Sequence, residues 1–566
     1  MPKLAPFGIY APDISDLDRD HTSSILNILP RADGYGPHPS LDPLSDALAA
    51  RCRGMFFARK RDGSILIFAG TETRLYLMNN TDYSWTDVSK GGSAYSALSS
   101  DAHWQFAQFA DVVIAVQANV APQAYNLTSS SAFADLGGLR PQAAYIGVIN
   151  RFVVLGGLLN EPYRVQWSGL NAITTWTSGT SYSDYQDQPD GGIVRGISGG
   201  EQGFLFQDTA VRRMTWVPGA DIVFQIDRLG TEIGLLAPYS LIRSEARTFF
   251  LSSQGFMQLE PTGQLIPIGK EAVDRTFANS VDKSALSLVL GASDPGSTVV
   301  TWSAKTIDDA AQQNLFNRLW NYDYALKRWT PADVTGEFLA SVARPGATLE
   351  SLDAIAPGVV AISGAANNGS GLVRLTVAST TGWTTGDFKS VSAVTGTTEA
   401  NGHWTITVID GTHIDLQGST YANAYVSGGI VGGSVDDMDF SLDDLATVAL
   451  TELGAVDSSH RVGFLVGSAL EAVLETAEQS GQGRRVYINS VEPVSDAPTI
   501  YGRAILRQTL SDTTTDEGEE NAKNDDGVIP LMDEARFLRV RCRIPAGEAW
   551  TFASGVMPEF GLGGRA

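Results

Sequence analysis

The chain has 566 residues, 43% of them hydrophobic, with 58 glycines, two cysteines and a formal charge of -23. Its length exceeds what one hydrophobic core holds and predicts two or three structural units. The glycine, serine and threonine content, with few long stretches of 3.6-residue periodicity, predicts an all-β, turn-rich protein. So acidic a chain is not expected to present the basic face with which sequence-reading nucleic-acid binders neutralise phosphates. Cys52 and Cys542 are too few for a disulfide framework, so a reducing compartment is expected, and the sequence does not say whether the two meet.

The opening MPKLAPFGIYAPDISD has no continuous apolar core behind Lys3, so no signal peptide is expected. No apolar run approaches the ~18 residues of a membrane helix, and a soluble protein is expected. The N-x-S/T triplets at Asn79, Asn126 and Asn368 then carry no information. Residues 1–54 carry Pro2, Pro6, Pro12, Pro30, Pro37, Pro39 and Pro43 and read as an extended N-terminal arm, reaching along a neighbour or across a rim. Within it, Leu44 to Cys52 spaces Leu44, Ala47, Leu48 and Arg51 as a short helix would.

From Ile65 to Ser89 the chain writes strand, bend, strand, turn, strand. Similar apolar centres recur at Val112 to Val116, Phe152 to Gly156, Phe204 to Gln207, Thr248 to Ser252 and Thr298 to Trp302. Their spacing of roughly 40 to 50 residues is that of four-stranded blades around an axis, which predicts a β-propeller over residues 55–354. Trp176 and Trp329 mark blade ends. A large array of β-sandwiches is the rival, because the repeat is one of pattern. Lys305 to Asn317 reads as a surface helix with Thr306 as N-cap and Asp308 and Asp309 in its first turn.

Over residues 355–433, runs such as Leu372 to Val377, Trp404 to Ile409 and His413 to Leu416 are tied by glycine and asparagine turns. They predict a small β-barrel inserted in a blade loop, where insertions are tolerated. Residues 434–566 read as a C-terminal β segment that completes the propeller or a platform. Ser468 to Gln479 fits strand and helix equally. In RFLRVRCRI, Leu538, Val540, Cys542 and Ile544 face one way and Arg539, Arg541 and Arg543 the other, so the arginines are expected to meet carboxylates or solvent. Asp512 to Asp526 reads as a long acidic loop.

No catalytic, cofactor-binding or metal-ligating residue is assigned. Gly196-Ile197-Ser198-Gly199-Gly200 matches G-x-S-x-G, but a nucleophile elbow needs a strand-to-helix turn, and here another strand follows. His21, His38, His103, His403, His413 and His460 are scattered, with no ligand spacing. Asp294 to Thr298 resembles part of a sialidase-type aspartate box but reads as a hairpin turn. Asp436, Asp437, Asp439, Asp443 and Asp444 lack the glycine and terminal glutamate of a Ca²⁺ loop and read as solvated.

Several phrases, taken in order, resemble the tail hub or nozzle proteins of short-tailed bacteriophages, the packaged DNA stabilisation or tail tubular protein B family. They are Asn27 to Leu41 (NILPRADGYGPHPSL), FAGTETRLYLM with WTDVS, Trp104 to Asn126, RWTPAD, and the terminal RFLRVRCRIPAGEAW. The insert separately resembles small β domains of phage tail proteins through TTGD at Thr384, TEANGHWTITVID at Thr398, HIDLQGS at His413 and AYVSGG at Ala424.

The resemblance implies a non-enzymatic virion protein, assembled in the host cytoplasm into a homo-hexameric ring. That ring would lie beneath the head-to-tail adaptor, contact tail fibre, spike or needle proteins, and retain and pass double-stranded DNA without sequence-specific binding. A receptor-binding or glycan-hydrolysing tail propeller is the alternative. The acidic stretches at 436–444 and 512–526 are candidates for a channel lining.

Overall fold

The computed structural model describes residues 4–15, 20–219, 222–309, 314–344, 359–432, 450–480, 485–509, 511–512 and 515–562. Two compact units emerge, and the smaller consists chiefly of Pro345–Leu450.

The larger unit is a β-propeller. Among the described residues it has seven four-stranded sheets, and six follow one another at 55–87, 105–135, 143–187, 194–231, 242–267 and 291–332, blades 1 to 6. The apolar runs of the sequence are the second strands of these blades, such as Ile65–Gly70, Val112–Gln117 and Phe152–Leu158. A strand covered on both faces is written as a continuous apolar run. Accordingly, Val113, Ile114, Val153, Val154 and Leu155 are all fully buried.

Blade 7 draws its strands from three parts of the chain: Phe338–Arg344 innermost, then Leu450–Val456, Arg461–Ala469 and, outermost, Pro39–Ala47. Its innermost strand lies beside that of blade 1, Met55–Arg59, which closes the ring. Glu337 locks this seam: its Oε2 accepts from the Cys52 backbone N–H at 3.0 Å and its Oε1 from His460 Nδ1 at 2.6 Å.

The sequence reading of 1–54 as an extended arm is corrected here, because Pro39–Ala47 supplies the outermost strand of blade 7, while Leu450–Val456 and Arg461–Ala469 of the segment read as completing the propeller or a platform supply its two middle strands. The helix expected at Leu44 to Cys52 is likewise absent. Leu44 to Ala47 is strand, since pairing with Arg461–Ala469 outweighs helical spacing. Pro39 and Pro43 are tolerated because this strand is an edge, where a missing N–H costs no ladder bond. The described parts of Lys305 to Asn317 are turns and isolated bridges, Thr306 with Val281 and Phe316 with Gly336, rather than helix.

The remaining N-terminal strands are woven into a C-terminal sandwich. One sheet orders Ile28–Arg31, Gly34–Pro37, Ala553–Leu562, Val486–Ser495 and Ile529–Ala535, with Ala5–Pro6 also on Ala553–Leu562. The other orders Ala472–Glu475, Phe537–Ile544, Tyr501–Arg507 and Asp516–Glu517. Ser468 to Gln479 thus resolves into strands. Leu538, Val540, Cys542 and Ile544 are buried in a core shared with blades 5 and 6, each aliphatic side chain contributing about 1.5–3 kcal/mol. In that core Trp302 and Trp329 stack at 5.6 Å, and their indole N–H groups reach the Ser240 and Ile268 carbonyls.

On the opposite face of Phe537–Ile544 the arginines meet carboxylates of the same chain. Arg539 and Arg541 both reach Glu475, at 3.0 and 2.9 Å, and Arg543 reaches Glu471 and Glu520, at 3.1 and 2.8 Å. Asp512 to Asp526 is therefore not a plain loop. Asp516–Glu517 and Asn521–Ala522 pair with Tyr501–Arg507, and Glu517 and Glu520 bind Arg503, Arg541 and Arg543. Cys52 and Cys542 are both free and buried, one at the ring seam and one in the sandwich.

An unforeseen α-helix, Asp274–Ser280, is capped from the N-terminal segment: Asp13 accepts from the backbone N–H groups of Arg275 and Thr276 at 2.6 and 2.9 Å. No helix among the described residues is long and apolar enough to cross a membrane.

The smaller unit is a closed barrel in the order Val360–Asn367, Val373–Val377, His413–Leu416, Gly402–Val408, Phe388–Ser392 and Ile430–Val431. Val373, Leu375, Ile406, Ile414 and Leu416 fill its interior. Arg374 and Asp415, opposite each other on adjacent strands, form a two-pronged ion pair at 2.6 and 2.8 Å.

Candidate functional site

The innermost strands of all seven blades surround a cavity of about 320 Å³, to which Met55, Phe106, Tyr145, Ile197, Leu241 and Leu339 contribute. One end is packed shut. His103, between blades 1 and 2, donates from Nε2 to the Ser287 carbonyl at 2.9 Å. Ser287 belongs to the 3-10 turn Lys283–Leu288 between blades 5 and 6, on the far side of the ring.

The His103 backbone N–H also donates to the Tyr239 hydroxyl at 2.9 Å, and its ring packs at 4.5 Å on Tyr239 and 5.3 Å on Phe338. Burial, helped by the Arg53 and Arg51 cations, pushes the His103 pKa down to about 3, so the imidazole is neutral with its proton on Nε2. Burial likewise raises the Tyr239 and Tyr145 hydroxyls above the ordinary phenol value.

At the opposite end the cavity shares Ser198, Gly199 and Arg243 with a cleft of about 510 Å³ between blades 4 and 5. The cleft is built from turns. Asn150, left-handed at φ 55°, ends the first hairpin of blade 3, Gln202 lies in that of blade 4, and Trp216 ends Ala210–Trp216. The Asn150 N–H donates to the Gly200 carbonyl at 2.7 Å and the Gly200 N–H to the Val148 carbonyl at 2.9 Å, which locks the two hairpins together. Arg243 Nη1 donates to the Gly199 carbonyl.

This explains the glycines of the G-x-S-x-G match. A Cβ on Gly199 would lie 2.4 Å from the Val148 oxygen, and one on Gly200, at φ 138°, 2.5 Å from the Arg243 guanidinium. Ser198 ends the strand Val194–Ser198, its Oγ shares a hydrogen bond with Thr248 Oγ1 at 3.0 Å, and the chain turns into the strand Gly203–Gln207. That is strand-turn-strand, not the strained strand-to-helix turn of a nucleophile elbow.

The six histidines go to separate places. His38 is buried with Nδ1 donating to the Pro39 carbonyl, and its pKa is pushed down to about 4 by burial. His403 meets Ser390, His413 meets Asp410, His460 meets Glu337, His103 closes the axis, and His21 lies in the two-residue strand His21–Thr22. Asp294 to Ser297 is the hairpin turn of blade 6, its carboxylate accepting from the Gly296 N–H at 2.9 Å. The Asp436 to Asp444 cluster lies outside the described residues. Sequence reasoning missed the axial closure altogether, because its key bond joins one histidine to a backbone carbonyl 184 residues away.

No protein-family model matches the sequence, and no curated protein matches it. Solved structures resemble it in part. The extracellular domain of a putative hybrid two component system from B. thetaiotaomicron aligns at TM-score 0.35 and 11% identity over 60% of this chain, which spans only 44% of that domain. Dihydro-heme d1 dehydrogenase NirN in complex with DHE aligns at TM-score 0.30 and 10% identity, over 69% of this chain and 78% of that one. The WD40 domain of Neurospora crassa Pan2 aligns at TM-score 0.33 and 8% identity, over 52% of this chain and 84% of that one. At these overlaps the likeness carries no argument about activity, ligand or partner.

Proposed function

We propose that this chain is a structural, non-enzymatic subunit of a bacteriophage tail hub or nozzle, a ring of copies that retains packaged double-stranded DNA and passes it between subunits. The observation that carries the reading is the closed axis. With His103, Tyr239, Phe338 and Ser287 packed across one end of a cavity of about 320 Å³, no polymer passes through the propeller itself. A conduit therefore has to lie between copies arranged by cyclic symmetry.

The ordered phrases from Asn27 to Leu41 and from Arg536 to Trp550 support this reading; Ile28–Arg31, Gly34–Pro37 and Phe537–Ile544 lie in the sandwich that ties the two chain ends together, and the first phrase runs on into the outer strand of blade 7. The charge of -23 supports a wall that does not grip DNA, since each copy adds to the repulsion of phosphates. Glu517 and Glu520 are already neutralised by arginines, so that repulsion is assigned to other carboxylates. A head-to-tail adaptor above the ring and fibre, spike or needle proteins around it are the partners this reading requires.

Mass photometry across a concentration series, with a duplex-DNA binding titration in salt, tests the proposal. It expects closed oligomers and no appreciable duplex binding at physiological ionic strength. A persistent monomer, or a tight and steeply salt-dependent DNA complex, would overturn it.

A further inference from the structure

We infer that the gap between blades 6 and 7 is a socket for one lysine or arginine side chain of a partner polypeptide. This goes beyond the hub reading and does not depend on it. The cavity there, about 340 Å³, falls within the ~300–1,000 Å³ typical of ligand sites. Strand alternation fixes what faces it. Val299, Thr301, Asn321 and Asp323 leave blade 6 on one side, because Val300, Trp302 and Tyr322 between them point into the core on the other. On blade 7, Leu453 and Leu465 are next to the paired Gly454 and Phe464, so they leave on the face opposite to Phe464. The N-terminal hairpin supplies the remaining wall, with Leu29, Pro37 and, just after it, His38.

Two nearly buried groups of this wall keep an acceptor unused. Asp323 is 5% exposed, and its Oδ1 accepts from Thr298 Oγ1 and from the Ala325 and Leu326 N–H groups, each at 2.9 Å. Its Oδ2 has neither a hydrogen-bond partner nor a cation among the described residues. The cross-strand neighbour Arg328 donates instead to the Arg31 and Gly34 carbonyls, at 3.1 and 3.5 Å. Arg31, the one cation of the described lining, donates to the Thr551 carbonyl at 2.6 Å and stands 4.0 Å from Asp33. His38, 2% exposed, commits Nδ1–H to the Pro39 carbonyl at 2.8 Å, which leaves Nε2 a lone-pair acceptor with no partner among the described residues.

Charge and shape select the occupant. A nearly buried carboxylate without a cation has lost hydration that an incoming cation offsets, whereas an anion is repelled. Asp294, whose Oδ1 accepts from the Gly296 N–H, adds a second carboxylate. It lies on the turn at the same end of blade 6 as Asp323, and the two turns are joined by the Tyr324 N–H on the Thr298 carbonyl at 3.0 Å. Negative charge is thus gathered at one end, and leucine and proline line the rest. The complement is one cationic head on an aliphatic stem, which is a lysine or arginine side chain. A polyamine carries several charges along its length and would set some of them against the apolar wall. A hard metal ion would leave that wall unused.

Saturation-transfer NMR on the full-length protein tests the inference. The probes are n-butylguanidinium and n-butylammonium, with butyramide as the uncharged control, spermidine, and the capped pentapeptide Gly-Leu-Arg-Leu-Gly beside its citrulline analogue. Both butyl cations should bind and compete with each other, and butyramide should not bind. The arginine peptide should bind more tightly than the free cations and lose roughly tenfold or more on change to citrulline. Asp323→Asn keeps the acceptor at Oδ1 and removes the charge, so it should weaken every cation by roughly tenfold or more while the thermal melt holds or rises. Leu465→Lys, which sets a cation of the chain's own in the cavity, should block the probes independently. Asp111→Asn, at the remote ion pair with Arg61, should change nothing. No binding of either butyl cation, binding untouched by both Asp323→Asn and Leu465→Lys, or equal binding of butyramide would each overturn the inference. Spermidine binding more tightly than the arginine peptide, or a peptide that fails where the free cations bind, would overturn the assignment to a polypeptide partner.

Discussion

His103 Nε2 and the Ser287 carbonyl meet at 2.9 Å across the axis of a seven-bladed ring, joining the connection after blade 1 to the connection after blade 5. Because the imidazole is buried, loss of this bond leaves a carbonyl without its donor, at a cost of about 1–3 kcal/mol. His103→Leu should lower unfolding stability in urea by that amount.

The same residue sets an acid limit. Its folded pKa of about 3 lies below the ordinary 6.5, so the unfolded chain takes up the proton first. The His103 contribution is complete above pH 6.5 and is lost as pH falls toward 3. Melting curves of wild type and His103→Leu should therefore converge as pH drops from 6.5 to 4; a constant gap would contradict the burial argument.

Glu475, with no exposed side-chain surface, is shared by Arg539 and Arg541 and accepts from the Thr22 hydroxyl at 3.3 Å. Burial raises its pKa even against the two cations. Glu475→Gln leaves Arg539 nearly buried without its counter-charge and should cost about 3–5 kcal/mol. Combining it with Arg539→Gln should cost less than the sum, with a coupling of about 0.5–3 kcal/mol. Strict additivity in denaturant unfolding would show that the pair does not act as one.

Asp274, at the start of the single described α-helix, has its carboxyl raised to about 6 by burial, with Asp13 adding to the rise and the Phe256 N–H opposing it. A raised acid favours the folded state below its unfolded pKa, and that advantage is lost as pH rises through 6. The melting temperature of Asp274→Asn relative to wild type should therefore increase between pH 4 and pH 7. A flat difference would mean that the carboxyl titrates normally.

Replacing residues 359–432 with a short Gly-Ser linker should leave the melting transition of the rest nearly unchanged. The barrel closes on itself through the pairing of Val360–Asn367 with Ile430–Val431. Aggregation or a lost transition, followed by calorimetry, would show that the barrel supports the propeller.

The fold was legible where burial is two-sided. Val112–Gln117 and Phe152–Leu158 are covered on both faces, so their sequences are continuous apolar runs at blade spacing. Phe537–Ile544 was legible for the opposite reason, since one face meets the core and the other a charge network, and alternation records both. The closing strand was not. Pro39–Ala47 is largely exposed and carries two prolines, so neither periodicity nor propensity marks it, and its identity comes from Arg461–Ala469, over 400 residues away. Strands such as Trp85–Asp87 and Asp184–Asp187 are short, polar and at blade rims, where composition does not separate strand from loop. At the candidate site Trp216, Asn150 and Gln202 are ordinary turn and strand-end residues in sequence, and only the packing of blades 3, 4 and 5 brings them to one cleft.

In the proposed assembly, DNA travels between copies of this chain and not through the propeller. Single-particle imaging of the purified protein at high concentration, with duplex DNA present, distinguishes the two routes. The prediction is a closed, rotationally symmetric ring with one central opening wide enough for a duplex, and each propeller axis filled at one end. Isolated monomers at every concentration, or DNA density threading a propeller axis, would contradict it.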